Sequence, residues 1–333
     1  MKKILALLLA LWIPAAVLSG CAPQDDSAAS NKLNIVTTIF PAYDWVREIL
    51  GDETDRAEIT TLLDSGVDLH SYQPTVDDIV KISECDLFLY VGGESDGWVE
   101  DALKNAPNKE RKVIRLLDVL GDSAKVEETV EGMQEEEHDH EEEEHGHEEE
   151  AEYDEHIWLS LKNAQKLVAA ISEALQESDP ARKDTYAANA AAYVEKLSAL
   201  DGEYRAAVDS GKYKTLLFGD RFPFRYLADD YGLDYYAAFP GCSAETEASF
   251  ETVSFLAGKM DALGLPCVLT IEGTQHKIAE TIVQNTAQKN QQILTMDSMQ
   301  AVTANDAASG VSYLSIMEKN LSVLKKALGQ EAE

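Results

Sequence analysis

The sequence predicts an α/β protein of two lobes, each a mostly parallel sheet flanked by helices, with one long rigid helix bridging them. Two observations carry this prediction. Apolar, β-branched runs alternate with helical segments in both halves of the chain, and a stretch of roughly 30 residues between the halves contains almost no helix breaker. Runs that are apolar throughout are typical of strands buried on both faces, which occur in parallel sheets with right-handed crossovers.

The first half of the chain predicts four strands and three helices. Residues 42–50, for example, have helical spacing around Trp45, Val46 and Ile49. The predicted strands cover residues 33–40, 57–63, 87–91 and 112–116, and the predicted helices cover residues 42–50, 75–83 and 98–105.

Two further helices are predicted in the middle of the chain. Residues 161–177 carry apolar side chains at helical spacing, and the stretch 182–208 follows after Asp179 and Pro180. At 1.5 Å per residue the second helix would be about 40 Å long, which is more than one small domain requires. We therefore expect it to join two lobes.

A second β-α series follows the long helix and repeats the architecture without clear sequence repetition. Its predicted strands cover residues 215–218, 235–238, 267–271 and 292–295. Its predicted helices cover residues 222–231, 250–263, 276–288 and 311–328.

The N-terminus has the pattern of a lipoprotein signal. A basic start, an apolar run and the sequence Leu-Ser-Gly lead into Cys21, the position at which bacterial lipoproteins attach lipid. This predicts a signal peptide at residues 1–20 and a flexible tether at 21–32, with an ordinary cleaved signal as the alternative. The apolar run is short for a membrane span.

The residues after the tether are enough for two domain cores of ordinary size. We predict a first lobe at residues 33–178, which includes a histidine- and acid-rich loop at 127–155. The connecting helix is predicted at 179–209 and the second lobe at 210–333.

Charge and cysteine content limit the possible functions. The net charge of −33 disfavours nucleic-acid binding, which needs a basic face. Three cysteines remain besides Cys21, namely Cys85, Cys242 and Cys267. One disulfide or buried free thiols are both compatible with this count, and the sequence does not choose a pair.

The acidic loop contains four histidines, which indicate metal capture. A tract that combines imidazoles and carboxylates raises the local metal concentration without fixing one geometry. A solvated acidic linker is the alternative. The four predicted accessory residues are His138, His140, His145 and His147.

Two other histidines stand in contexts that favour a metal site. His70 lies in a turn-rich stretch between a predicted strand and a predicted helix, where open α/β sheets place ligands. His156 follows Asp154 and Glu155, whose carboxylates could orient its second ring nitrogen. A structural role is the alternative for each.

Four sequence strings resemble the zinc/manganese solute-binding lipoproteins of bacterial ABC importers. They are TTIFP at residues 37–41, GVDLHSYQPT at 66–75, DEHIWLS at 154–160 and YGL at 231–233. The resemblance extends over residues 33–329. It implies two α/β lobes bridged by a long helix, with a single metal ion in the cleft between them.

The resemblance also implies ligands and partners. The first two family ligands fall on His70 and His156, and a histidine-rich insert before the second is typical of zinc-preferring members. The implied partners are an ABC permease and its ATPase subunit, and the implied location is the outer side of the cell membrane, with lipid on Cys21 as anchor.

The third ligand position departs from the family pattern. Family members place His or Glu where this chain has Arg221, and a guanidinium group has no lone pair for a metal. Asp220 is the expected substitute, with Arg221 steadying a carboxylate. The fourth family position falls on Asp297. Glu245 and Glu247 are alternative ligands that we expect to cap a helix instead.

These observations favour a non-catalytic receptor that binds Zn²⁺ and delivers it to a permease. Two histidines and two carboxylates are compatible with zinc, but extra carboxylate oxygens would suit Mn²⁺ better, so the ligand count does not decide between the metals. The histidine-rich loop favours zinc, with Mn²⁺ as the alternative. The sequence has no P-loop, so the ATPase must be another chain, and it has no His-Glu-x-x-His motif of a zinc hydrolase. A surface adhesin and a zinc buffer are the remaining alternatives.

Overall fold

The structure is a computed structural model, and it describes residues 32–104, 107–134, 152–243, 247–273 and 276–330. Residues 32–333 cluster into one compact unit. Both sheets belong to that unit.

Two four-stranded parallel sheets form the centres of the two lobes in the described part of the chain. The strands are β1 (Leu33–Thr37), β2 (Ala57–Thr61), β3 (Leu87–Tyr90), β4 (Lys112–Arg115), β5 (Thr215–Arg221), β6 (Asp234–Phe239), β7 (Cys267–Thr270) and β8 (Gln292–Thr295). The strand orders are β2-β1-β3-β4 and β6-β5-β7-β8. In each sheet the second strand lies on one side of the first strand and the third strand lies on the other, so the strand order reverses there. Loops at the carboxyl ends of strands around such a switch point are the usual ligand sites of open α/β sheets.

Helices cover the sheets and connect them. They are α1 (Phe40–Leu50), α2 (Val76–Glu84), α3 (Val99–Lys104), α4 (Leu116–Leu120), α5 (Leu161–Ser178), α6 (Lys183–Ser210), α7 (Arg225–Tyr231), α8 (Phe250–Leu263), α9 (Lys277–Asn285), α10 (Ala304–Ala308) and α11 (Tyr313–Ala327). The predicted two-lobe α/β fold is confirmed. The predicted domain boundaries stay a prediction.

Local sequence signals explain where several helices begin and end. Thr75 begins α2 with a capping box that includes Asp78, and Ser249 caps α8 by accepting the N–H of Thr252. Gly264 ends α8 in the left-handed conformation that glycine adopts without a Cβ penalty.

The strand predicted at residues 33–40 ends earlier, and this part of the prediction is wrong. Helix α1 already begins at Phe40, because Pro41 occupies a first-turn position where its fixed φ and missing N–H are tolerated. The short helices α4 and α10 were not predicted either. They have five residues each, too few for a clear periodic pattern.

Helix α6 contacts both lobes. Near its start, the Nδ2 of Asn189 donates to the carbonyl oxygen of Ile49 in α1, at 3.0 Å. Near its end, the hydroxyl of Tyr204 donates to the carbonyl oxygen of Met317 in α11, at 2.7 Å. The predicted bridging helix is therefore present, with 28 residues.

The hydrophobic core is continuous between the lobes. One cluster includes Trp45 of α1, Leu167 of α5, Leu197 of α6 and Phe218 of β5. A smaller cluster lies in the second lobe between its sheet and helices α8 and α9, and it includes the fully buried Met260. Since burial of each large apolar side chain contributes about 1.5–3 kcal/mol, the shared core holds the lobes together.

The start of the predicted histidine- and acid-rich loop, with the two residues before it, crosses from the first lobe to the second. We call residues 125–134 the strap. Val126 forms an isolated antiparallel bridge with Tyr153, on the other side of the loop. At the far end of the strap, Gln134 donates its N–H to the carbonyl oxygen of Ala238 in β6, at 2.9 Å. The strap therefore ties the chain before His156 to the second lobe.

The three cysteines in the described residues, Cys85, Cys242 and Cys267, are all free thiols. Among the described residues, no helix combines the length and apolar character needed to span a membrane.

Candidate metal centre

Loops at the carboxyl ends of strands in both sheets supply the polar side chains of the candidate site. His70 lies after β2 in a single 3-10 turn, Leu69–Ser71, whose first N–H groups are capped by Asp68: the Asp68 carboxylate accepts the N–H of His70 at 3.0 Å. Ser95 follows β3, and Cys242 follows β6. His156 directly precedes the turn that leads to α5.

The ring of His70 is oriented through its Nδ1 atom. That atom lies 2.9 Å from the hydroxyl of Ser95 and 3.3 Å from Oε2 of Glu155. Burial alone would raise the pKa of Glu155, but its interactions with His70 and hydrogen bonds from Ser95 lower it below the ordinary value. Gly93 leaves room for this carboxylate, since a Cβ at Gly93 would lie 2.0 Å from Oε1 of Glu155.

The ring of His156 is held by Asp154. One carboxylate oxygen of Asp154 accepts the backbone N–H of His156 at 2.9 Å and lies 3.1 Å from Nδ1 of the ring. His156 and Asp154 are both buried. The hydroxyl of Tyr226 in the second lobe donates to the Asp154 carbonyl oxygen at 3.0 Å, so this loop is fixed from both sides of the cleft.

The Nε2 atoms of His70 and His156 face each other at 3.2 Å. A proton on Nδ1, beside the acceptor oxygens of Glu155 and Asp154, leaves the lone pair of each ring on Nε2. Each Nε2 then points a lone pair at the other. In this tautomer the two Nε2 atoms could hold a cation between them.

Cys242 completes a group of three potential donors. One ligand atom from each of His70, His156 and Cys242 lies within 4.8 Å of the other two. The backbone N–H of Cys242 donates to Oε1 of Glu127 in the strap, at 2.8 Å. Burial, with the charges of nearby carboxylates including Asp154, raises the pKa of the Cys242 thiol above its ordinary value.

Asp220 lies in β5 and binds backbone groups. Its carboxylate accepts the N–H of Arg221 at 3.0 Å and that of Ile271 at 3.4 Å, and burial raises its pKa. The guanidinium group of Arg221 forms its ion pair with Asp68 across the cleft instead of with Asp220. Its Nη1 also donates to the carbonyl oxygen of Ser243, at 3.4 Å.

Asp297 lies after β8 in a hydrogen-bonded turn. Its carboxylate accepts the N–H of Met299 at 2.8 Å, and its backbone N–H and carbonyl group both bind the side chain of Asn320. Burial and the neighbouring Glu272 carboxylate raise the pKa of Asp297. Neither Asp220 nor Asp297 joins the donors that lie within 4.8 Å of one another in the described residues, and both stay predicted ligands.

Some predicted residues lie outside the described part of the chain. These are Cys21, Glu245 and the accessory residues His138, His140, His145 and His147. Glu247 is described and is exposed, and its carbonyl oxygen accepts a hydrogen bond from Gln134 at 3.4 Å.

Sequence reasoning treated Cys242 only as a possible disulfide partner. The turn at residues 240–243 brings it beside His156 through a close backbone approach: a Cβ on Gly241 would lie 3.2 Å from Nδ1 of His156. The sequence Pro-Gly-Cys after a strand was the available signal, since a turn at the carboxyl end of a strand presents its side chains to the ligand site.

Comparison with known proteins gives a family for this chain. The family model described as ZnuA, zinc-uptake complex component A, periplasmic, matches residues 35–327. The zinc-binding lipoprotein AdcA of Streptococcus pneumoniae is 34% identical over 331 residues, which cover 99% of this chain and 62% of that protein. The chain therefore spans less than two thirds of the length of this relative.

Two further matches extend over most of the chain compared. The high-affinity zinc uptake system protein ZnuA of Bacillus subtilis is 31% identical over 298 residues, or 90% of this chain and 88% of that protein. The crystal structure of the Zn(II)-bound ZnuA-like domain of Streptococcus pneumoniae AdcA has a TM-score of 0.68 and 30% identity, and the match covers 90% of this chain and 100% of that domain. With its two lobes, bridging helix and paired histidines, the chain belongs to the zinc-uptake complex component A family.

Proposed function

We propose that the chain is an extracytoplasmic receptor of an ABC importer that captures Zn²⁺ in the cleft between its lobes. The observation that carries the proposal is the 3.2 Å approach of the Nε2 atoms of His70 and His156, whose Nδ1 atoms lie 3.3 Å from Glu155 and 3.1 Å from Asp154. Zinc-binding histidines usually have such a carboxylate partner, which fixes the ring and raises the basicity of the ligating nitrogen.

The distance between the two nitrogens fits one zinc ion. Zn–N bonds of about 2.0–2.1 Å at tetrahedral angles place two nitrogens about 3.3 Å apart. The separation of 3.2 Å between His70 and His156 is close to this value. Zinc is the cargo of the receptor, and the printed names of the relatives describe zinc binding and zinc uptake.

The remaining roles in the proposal follow the family. A permease and an ATPase on other chains would receive and move the ion, and lipid on Cys21 would anchor the receptor to the membrane. His138, His140, His145 and His147 would collect zinc near the cleft when the metal is scarce. Asp220 and Asp297 remain predicted ligands for the cleft ion.

Competition calorimetry of the metal-free full chain in detergent tests the cleft site. We expect one tight zinc site and weaker binding of Mn²⁺, with tight zinc binding lost in His70→Ala and in His156→Ala. His276→Ala, at the other histidine of the described residues, lies outside the three-donor group and should keep the tight site. Because His276 acts electrostatically on Asp220, a partial loss there would support Asp220 as a ligand.

Other outcomes would select a different function. Several weak sites that persist in both cleft variants would favour a zinc buffer or an adhesin. Tighter binding of Mn²⁺ than of Zn²⁺ would make the chain a manganese receptor of the same type. In cells that make the chain, its deletion should lower uptake of radioactive zinc at scarce metal, and unchanged uptake would contradict the importer role.

A further inference from the structure

We propose that the Cys242 thiolate is the third zinc ligand, which makes a donor set of two imidazoles and one thiolate that selects Zn²⁺ over Mn²⁺. This inference rests on the proposed zinc-receptor function, and it gives a chemical reason why the receptor would prefer zinc. The fourth position is left to a carboxylate or water. The donor atoms of His70, His156 and Cys242 already lie within 4.8 Å of one another.

The three-donor geometry needs only a small contraction to hold one ion. With a Zn–S bond of about 2.3 Å, a nitrogen and a sulfur on the same tetrahedral zinc lie about 3.6 Å apart. The imidazole pair is already at its zinc-bound separation, and the thiol, which lies within 4.8 Å of a nitrogen of each ring, must approach by at most about 1.2 Å.

The backbone fixes Cys242 at this place from two sides. Its N–H donates to Glu127 of the strap, and the next carbonyl group, that of Ser243, accepts from Arg221. Gly241 allows the turn to approach the ring of His156, since a side chain there would also lie 2.9 Å from the carbonyl oxygen of Phe222. A ligand held by its own backbone contacts is preorganised for binding.

The departure at Arg221 explains why another element must supply a ligand. The guanidinium group at this position has no lone pair and is bound to Asp68 and the Ser243 carbonyl oxygen. The turn that carries Cys242 lies directly beside it and brings a soft donor into the three-donor group.

Zinc binding would convert the thiol into a thiolate. The S–H bond breaks, a Zn–S bond forms and the proton passes to water, because a coordinating thiol is deprotonated by the metal. The carboxylates of Glu127, Asp154 and Glu155 surround the thiol with negative charge, which opposes a free thiolate but favours a divalent cation. Thiolate ligands suit zinc, whereas manganese prefers oxygen ligands.

Spectroscopy of the Co²⁺-loaded full chain in detergent tests for the sulfur ligand directly. A thiolate-to-cobalt charge-transfer band in the near ultraviolet should appear in the wild-type chain and in Cys267→Ala, but not in Cys242→Ser. Cys267 is the control because it is a free thiol buried in β7, outside the three-donor group. A band that persists in Cys242→Ser would overturn the proposal.

Calorimetry adds the expected effect on metal choice. Cys242→Ser should weaken zinc binding by about 10- to 100-fold or more, because even the loss of a residue that only supports a ligand has an effect of this size. Its affinity for Mn²⁺ should change by less than about threefold, because sulfur contributes little to a manganese site. Equal losses for both metals, or none for zinc, would contradict the proposal.

A measurement on the wild-type chain avoids any folding defect of the variant. Zinc should slow alkylation of Cys242 at least about 10-fold, as mapped by peptide mass spectrometry, since a metal-bound thiolate is a weaker nucleophile than a free one. Unchanged alkylation with the zinc site filled would overturn the sulfur ligand alone. If His70→Ala and His156→Ala both kept tight zinc binding, the proposed function itself would be overturned.

Discussion

Arg221 of the second lobe forms an ion pair with Asp68 of the first lobe, two residues before His70. Both side chains are partly buried, with 16% and 23% of their surface exposed. Arg221 overcomes the effect of burial and lowers the pKa of Asp68. The same Asp68 carboxylate group caps the turn that carries His70, so the pair couples the two lobes beside the candidate site.

We expect this pair to contribute to stability. Arg221→Gln and Asp68→Asn should each lower the free energy of unfolding by about 1.5–3 kcal/mol, the range for hydrogen bonds to charged groups. Urea unfolding of both single variants and the double variant gives the coupling energy, expected at about 1–3 kcal/mol. Lys104→Gln, which breaks an exposed pair with Asp101, is the control and should change little. Additive losses from Arg221 and Asp68 would contradict the coupling.

Gly93→Ala should weaken zinc binding without unfolding the protein. The new Cβ would lie 2.0 Å from Oε1 of Glu155, so this carboxylate would have to leave its position beside His70. We expect zinc affinity to fall about 10- to 100-fold, as for other lost partners of ligating histidines. Gly202→Ala is the control, because a Cβ there meets no heavy atom within 4 Å. Equal zinc affinities of the two variants in calorimetry would rule out the orienting role of Glu155.

Asp44 should make the folded protein less stable as the pH rises. It is buried in α1 and accepts the N–H of Tyr313 at 2.8 Å, yet burial raises its pKa from 3.8 to about 6. The folded chain therefore binds this proton more tightly than the unfolded chain, so the contribution of Asp44 is lost between about pH 4 and pH 6.

Asp44→Asn keeps an acceptor for Tyr313 and removes the titration. The free energy of unfolding of the variant, relative to the wild-type chain, should rise by up to about 3 kcal/mol between pH 4 and pH 7. Urea unfolding at the two pH values measures this difference. A constant difference would mean that Asp44 titrates at the same pH in both states.

Replacing His138, His140, His145 and His147 together by Asn should leave the tight zinc site intact. Because we propose that the tight site is formed by His70, His156 and Cys242, the affinity measured by calorimetry should stay within about threefold, while the weaker sites proposed for the loop disappear. The same variant should capture less zinc when the metal is scarce. Loss of the tight site would place that site in the loop and refute the cleft assignment.

Local signals made much of the fold predictable from the sequence. The predicted helix at residues 250–263 has the bounds of α8, because Ser249 and Gly264 supply a cap at each end. Strand β8 also has its predicted bounds, residues 292–295. Pro41 is a signal for the start of α1. The predicted strand nevertheless extended to residue 40, the first residue of α1, because Ile39 and Phe40 continue the apolar run.

The candidate site was only partly predictable, because some of its contacts join distant parts of the chain. His70 and His156 stand in recognisable motifs, and the structure brings their Nε2 atoms together. The pairing of Arg221 with Asp68 spans 153 positions, and no local pattern encodes it. Cys242 reaches the histidines only through the packing of its turn against the first lobe.

Helix α6 has a consequence for how fast a bound ion can exchange. It is helical from Lys183 to Ser210 and is hydrogen-bonded to a different lobe near each end. A large hinge opening requires a few residues that absorb changes in φ and ψ, and an unbroken helix resists such changes. For the ion proposed above we therefore expect release by substitution of ligands one at a time, with bond lability and an incoming competing donor setting its dwell time.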